Sequence, residues 1–252
     1  MNKIALITGA SAGIGKACAI KLAENGFDLI IAGRREKNLE KLAAKIQESN
    51  KNEVLSLCLD VRNYEEVEKT INSLPDKWKH IDVLVNNAGL AVGVSPIEQG
   101  VVDDWDRMID TNVKGLLYVT RCVSPLMAER KKGLIVNISS IAGKEAYPGG
   151  NVYCGTKHAV EAITKGMRID LLPHNIRVSS IAPGMVETEF SLVRFKGDEN
   201  KAEQVYNGIK PLKAEDIADS LLFIATRPDH VSINDILIMP SAQASARDVN
   251  RN

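Results

Sequence analysis

The chain has little of what most specialised binding surfaces need, and each shortage removes a class of function. Lysine plus arginine equals aspartate plus glutamate, at 32 each. No net field therefore draws the chain to nucleic acid or to an anionic membrane. Aromatics make up 4% of the residues, too few for a base-stacking surface. No apolar run approaches the roughly 20 residues of a membrane span. Cys18, Cys58, Cys122 and Cys154 are scattered, as are His80, His158, His174 and His230. Without a C-x-x-C pair or a Cys/His cluster, neither a metal site nor a disulfide framework is expected. Reduced thiols in a cytoplasmic protein are the simplest account. The N-terminal "MNKIALITGA" reads as a strand entering a glycine turn, not as a secretory leader. A small molecule is the expected partner.

What is present is a regular alternation of strands and helices. Apolar runs at 3–8, 28–32, 53–59, 81–86, 133–139, 176–182 and 235–239 read as strands covered on both faces. Amphipathic stretches at 14–25, 36–49, 63–74, 101–123, 152–171 and 214–226 read as the helices between them. Repeated β-α-β units imply a doubly wound α/β fold, with a seven-stranded parallel sheet between helical layers. No linker or low-complexity stretch divides the chain, so residues 1–252 are expected to form one domain. The polar, broken segment 183–213, opened by Pro183-Gly184, is expected to be a substrate lid at the C-terminal end of a strand.

The first strand runs into "TGASAGIG" (8–15), a G-x-x-x-G-x-G spacing. Gly9 allows a tight exit from the strand, Gly13 lets the backbone approach a pyrophosphate, and Gly15 lets the next helix pack closely. The helix N-terminus then offers free N–H groups and the positive end of its dipole to phosphate. At the end of the second strand, "IIAGRR" carries no acid for a ribose 2′-hydroxyl. Arg34 and Arg35 stand there instead, and guanidinium groups suit a 2′-phosphate. NADP(H) is therefore expected in preference to NAD(H).

In "YCGTK" (153–157) a tyrosine and a lysine stand four apart, on one face of a helix. With "NNAG" (86–89), "NISS" (137–140) and "APG" (182–184) in the same order, the sequence resembles the short-chain dehydrogenase/reductase family along essentially its whole length. That resemblance implies Tyr153 as general acid/base and Lys157 as its electrostatic partner, both also touching the cofactor. It implies Ser140 as the group that bonds the substrate oxygen, with Ser139 as a neighbour spaced one residue too far. Asn112 would complete a catalytic tetrad through a helix kink. Asp60 and Val61 would meet the adenine, and Asn87, Ala88 and Gly89 the adenosine ribose. Ser11 and Ile14 would join the glycine turn around the phosphates. Pro183, Gly184, Val186 and Thr188 would lie beside the nicotinamide. A lysine ammonium one turn away is expected to lower the tyrosine pKa from its usual value near ~10.

The stretches 89–96, 187–198 and 228–243 resemble the NADP-dependent 3-hydroxy acid dehydrogenase subgroup, which implies serine, L-allo-threonine or 3-hydroxypropionate as substrate type. The rival is a 3-oxoacyl thioester or general carbonyl reductase. "IMPSAQ" (238–243), where many family members carry a "DGG"-type turn, weakens that rival. A nucleotide-sensing regulator without turnover is a remoter reading, since Tyr153, Lys157, Ser140 and Asn112 are all present. A substrate carboxylate needs a cation, and Arg194 on the lid is the candidate. The resemblance also implies a homotetramer, with the helices at 101–123 and 152–171 at one interface and the last strand and tail at another.

Overall fold

In the computed structural model, residues 2–49 and 51–251 are described. Seven parallel strands form one sheet: β1 (Ile4–Thr8), β2 (Asp28–Gly33), β3 (Val54–Cys58), β4 (Ile81–Asn86), β5 (Gly133–Ile138), β6 (Ile176–Pro183) and, last in the chain, β9 (Asp235–Ile238). Their order is β3-β2-β1-β4-β5-β6-β9. The chain turns from one half of the sheet to the other between β1 and β4, the place where open α/β sheets hold ligands beyond the strands' C-terminal ends.

Every residue of β1, β2 and β5 is buried, because helices cover both faces. Alternation still sorts the side chains. Ala5 and Ile7 of β1 enter one core, with Leu29 and Ile31 of β2. Ile4 and Leu6 enter the other, with Ile30 and Ala32. The first core is closed by α1 (Gly13–Glu24), α2 (Glu36–Ser49) and α9 (Ala214–Ala225). The second is closed mainly by α3 (Tyr64–Asn72) and α5 (Leu116–Glu129). In α2, Leu39, Leu42 and Ile46 are the buried positions, a single stripe at helical spacing. The edge strands differ from the expectation of two covered faces. β9 alternates between exposed and half-buried residues, with Leu237 51% exposed.

The stretch 101–123 is not one helix. α4 (Val102–Ile109) passes through a π-helical segment (Asp110–Gly115) into α5. Periodicity does not register one extra residue per turn, and such segments gather at functional sites. The lid region begins within β6, since Pro183 ends that strand. It then holds a two-residue strand β7 (Val186–Glu187), short helices α7 (Phe190–Arg194) and α8 (Glu199–Gln204), and β8 (Leu212–Lys213), paired with β7. Among the described residues no helix is long and apolar enough to cross a membrane.

Helix α6 (Asn151–Asp170) carries Tyr153, Lys157 and Glu161 on its buried face. Buried amides fix its position. Asn86 Nδ2 donates to Asn137 Oδ1 and to Thr120 Oγ1, both at 2.9 Å. Asn137 Nδ2 donates to Thr164 Oγ1 of α6 at 2.8 Å. Adjacent strands β4 and β5 are thereby tied to α5 and α6 through groups that burial makes costly to leave unpaired.

Candidate active site

A cleft of about 550 Å³ opens at the C-terminal edge of the sheet. Its lining brings together Gly9, Ser11, Gly13, Ile14, Arg34, Arg35, Asp60, Val61, Asn87, Ala88, Gly89, Ser140, Tyr153, Lys157, Pro183, Gly184, Val186 and Thr188. These come from segments far apart in sequence, so only folding makes them one surface. Gly15, Asn112 and Arg194 are not among the lining residues.

The phosphate end is built on contacts that exclude side chains. Gly9 has φ +66 and Gly13 φ +51, left-handed values that glycine adopts at no steric cost. A Cβ on Gly15 would lie 2.5 Å from Gly9 O and 2.4 Å from Asn87 Nδ2, so this glycine seats α1 against the turns after β1 and β4. Thr8 locks the two turns together. Its Oγ1 accepts the N–H groups of Asn87 and Ala88 at 3.0 Å each. Helix α1 has no side-chain cap and no acid in its first turn, which leaves its N-terminal N–H groups and positive dipole facing the cleft. Arg34 and Arg35 are both exposed, at the end of β2. This cradle fits a dinucleotide carrying a ribose phosphate.

Two neighbours of that cradle were not legible in the sequence. Arg35 donates from Nε to Ser11 Oγ at 3.1 Å and pairs through Nη1 with Glu189 Oε2 at 2.8 Å. The segment after β6 thus pairs with the exposed arginine that follows β2, in a pair of the kind that contributes little to stability. Asp60 lines the cleft, yet Arg62 occupies both its carboxylate oxygens, at 3.0 and 2.6 Å. Arg62 holds that carboxyl below its ordinary pKa, against burial, which acts the other way. An adenine contact at Asp60 would therefore share its acceptor with Arg62. The family resemblance pointed to the acid and could not reveal its partner.

At the other end, Tyr153 is 8% exposed and Lys157 6%. Lys157 Nζ donates to the Ile138 carbonyl at 2.9 Å. Burial pushes the phenol above its ordinary value, reinforced by Tyr147, while the Ser140 hydroxyl and Arg194 pull it down. Burial likewise lowers Lys157 to about 8, opposed by the charge of Glu161. The expected lowering of the phenol by its lysine is thus overridden in the protein itself, because removing both heads from water disfavours both charged forms. Ser140 Oγ accepts the Ala142 N–H at 3.1 Å, which leaves its hydrogen free to donate into the cleft. The buried Ser139 Oγ has no partner.

Asn112 sits in the π-helical segment, 2% exposed. Its Oδ1 accepts the Leu90 N–H at 2.8 Å, and its Nδ2 donates to the Leu90 carbonyl at 2.8 Å and to Thr156 Oγ1 at 3.0 Å. Two of these bonds tie the π-helical segment to the loop after β4 and the third ties it to helix α6. Arg194 donates from Nη2 to the Tyr147 hydroxyl at 2.9 Å. Its guanidinium carbon lies 5.9 Å from the centre of the Tyr153 ring, while its buried Nε has no partner among the described residues. Phe190 of the lid packs on Tyr153 with ring centres 5.8 Å apart. Tyr147 and Phe190 escaped sequence reading because neither belongs to a motif; their roles come from proximity to Tyr153.

Comparison with known proteins agrees with this geometry. The family described as short chain dehydrogenase matches residues 3–198. The NADP-dependent 3-hydroxy acid dehydrogenase YdfG of Salmonella typhi is 48% identical over 244 residues, 96% of this chain and 97% of that protein. Sulfoacetaldehyde reductase 2 of Chromohalobacter salexigens is 44% identical over 253 residues, 100% of each chain. The closed form of serine dehydrogenase complexed with NADP+ superposes with a TM-score of 0.92 at 44% identity, covering 99% of this chain and 100% of that one. The chain belongs to the short-chain dehydrogenase family and is an oxidoreductase of α/β, doubly wound architecture.

Proposed function

We propose that the protein transfers hydride between NADP(H) and a short 3-hydroxy acid or its carbonyl counterpart. The observation that carries the substrate class is Arg194, a cation with a buried unpartnered Nε, poised over the ring of Tyr153. A guanidinium there would hold a substrate anion while the hydroxyl reaches the phenol. The named relatives act on a hydroxy acid, serine and sulfoacetaldehyde. Their names share a small molecule that carries an acidic group next to a short chain.

In this reading Tyr153 takes the proton from the alcohol oxygen during oxidation and returns it during reduction. Ser140 donates its hydrogen to the same oxygen, where charge develops. Lys157, held by the Ile138 carbonyl, stabilises the phenolate as an ammonium. Arg194 fixes the carboxylate, so the hydroxyl-bearing carbon is presented in one orientation. The nicotinamide, when bound, supplies or accepts the hydride. Phe190 and the rest of α7 exclude water from the reacting oxygen.

Arg194→Met is expected to raise KM for L-serine or 3-hydroxypropionate by about 10- to 100-fold and to leave a neutral alcohol little changed. Equal effects on both substrates would remove the carboxylate role. Alanine at both Arg34 and Arg35 is expected to lower the ratio of kcat/KM for NADP+ over NAD+ by about 10- to 100-fold, since charge-assisted contacts to a phosphate are lost. An unchanged ratio would sink the assignment of these arginines. The function itself is tested by NADP+ reduction with L-serine, L-allo-threonine and 3-hydroxypropionate, set beside an acetoacetyl thioester and sulfoacetaldehyde run with NADPH. Preference for the thioester would overturn the hydroxy acid reading.

The reading includes a cytoplasmic homotetramer. Exposed apolar residues support the two expected interfaces. Val102, Leu117, Ile169 and Leu172 stand on or beside α4, α5 and α6, with Ile169 73% and Leu172 71% exposed. Leu237 of β9 and Phe223 of α9 are exposed beside the last strand. Sedimentation equilibrium tests this directly, and a monomer at micromolar concentration would exclude it.

A further inference from the structure

We propose that Glu161 is a positioning residue for the active site: its buried carboxylate, one helical turn beyond Lys157 on α6, is the anion that keeps a cation at Lys157. The proposal rests on the reading of Lys157 as the partner of Tyr153.

Residues four apart on a helix share a face, and both Lys157 and Glu161 are 6% exposed. Glu161 is braced from three directions. Lys144, just beyond β5, places Nζ 2.8 Å from Glu161 Oε2 and 2.6 Å from Asp235 Oδ2 of β9. Ser180 of β6 donates to Asp235 Oδ1 at 2.7 Å, with Glu161 Oε2 at 3.4 Å. The turn carrying Lys144 comes close because Gly143 has no side chain. A Cβ there would lie 2.8 Å from Lys157 O and 3.1 Å from Glu161 Cγ.

All of these contacts fall on Oε2. Glu161 Oε1 is buried without a partner among the described residues, an arrangement that is costly for a carboxylate. Lys144 does not require it, since Asp235 already offers Lys144 a second carboxylate. What Glu161 adds is negative charge on the buried face of α6, one turn from Lys157. The groups facing Lys157 from other elements are neutral: the Ile138 carbonyl and, beside Gly89, Asn112 Oδ1. Along its own helix stands the Tyr153 phenol. Burial acts to strip the proton from Lys157, and Glu161 acts to retain it. Arg168 of α6 donates to the Val178 and Asn234 carbonyls, and its charge acts on Asp235.

The test reads Lys157 itself. Lysine labelled at 13Cε and 15Nζ is titrated by NMR in the full chain, with the Lys157 signal assigned by its loss in Lys157→Met. Glu161→Gln keeps the shape and the bond from Lys144 while removing the charge. Its Lys157 midpoint is expected to fall by about one pH unit, and the alkaline limb of turnover should move with it. Lys144→Gln leaves Glu161 less neutralised, so the midpoint is expected to rise by about half a unit. Opposite shifts cannot come from general loosening. A folded Glu161→Gln with an unmoved midpoint, or shifts of the same sign in both variants, overturns the proposal. Should Glu161→Gln fail to fold, Lys144→Gln decides alone, and a midpoint that stays or falls overturns it. Because the midpoint needs no substrate, it stands apart from the substrate assignment. The catalytic reading of Lys157 fails separately if Lys157→Met turns over normally.

Discussion

Tyr153→Phe is expected to lower kcat by about 10²- to 10⁴-fold, the range assigned to a positioned acid–base group, with NADP(H) binding retained. The substitution removes one oxygen and leaves the ring. The tilted contact with Phe190 and the place under Arg194 both depend on the ring, so folding and the cleft wall should persist. The cofactor cradle is built from the turns after β1, β2 and β4, remote in sequence from this hydroxyl. Equilibrium titration of NADPH fluorescence should therefore give a Kd close to that of the parent enzyme, while kcat falls by that factor. Near-normal turnover would refute the acid–base role. Parallel loss of turnover and NADPH binding would show that the residue holds the cofactor and does not move the proton.

Asn112→Ala is expected to cost both stability and turnover. Three buried hydrogen bonds disappear, and the Leu90 N–H and carbonyl lose the partner recorded for them at 2.8 Å each. Leaving such groups unsatisfied costs about 1–3 kcal/mol each, so a total near 3 kcal/mol, or a fall in Tm of about 10 °C, is expected for a chain of this size. Turnover measured well below the new Tm should also fall, by about tenfold. The reason is geometric. Leu90 follows Gly89 in the cleft wall, and Thr156 precedes Lys157 on α6, so Asn112 fixes the distance between the cofactor side and the catalytic helix. A lowered Tm with unchanged kcat would make Asn112 a purely structural residue.

The features legible in the sequence are those that depend on local chemistry. Strands buried on both faces read as unbroken apolar runs, and β1, β2 and β5 matched that pattern. The glycine turn was legible because Gly9, Gly13 and Gly15 answer to backbone constraints within eight residues. Helix spacing places Tyr153 and Lys157 on one face, but it was the resemblance to the family that singled the pair out. Arg34 and Arg35 stood out because no acid ends the second strand before them. The partners of these residues were not legible. Glu189 lies 154 positions from Arg35, Asp235 lies 91 from Lys144, and no local rule links such positions. The π-helical segment under Asn112 was missed for a related reason, since hydrophobic periodicity over 101–123 averages across one added residue.

The sequence by itself determined the class of fold, the glycine turn and the preference for a phosphorylated cofactor, because each follows from backbone geometry or from charge at short range; the tyrosine–lysine pair was singled out by the family resemblance. Only the tertiary structure decided the electrostatic state of that pair. Burial raises the phenol and lowers the ammonium, and Glu161, whose carboxylate is braced by residues from β6, β9 and the turn after β5, is the group that opposes the loss of charge on Lys157. Desolvation depends on what covers a side chain from every direction, and that is set by the whole packed chain.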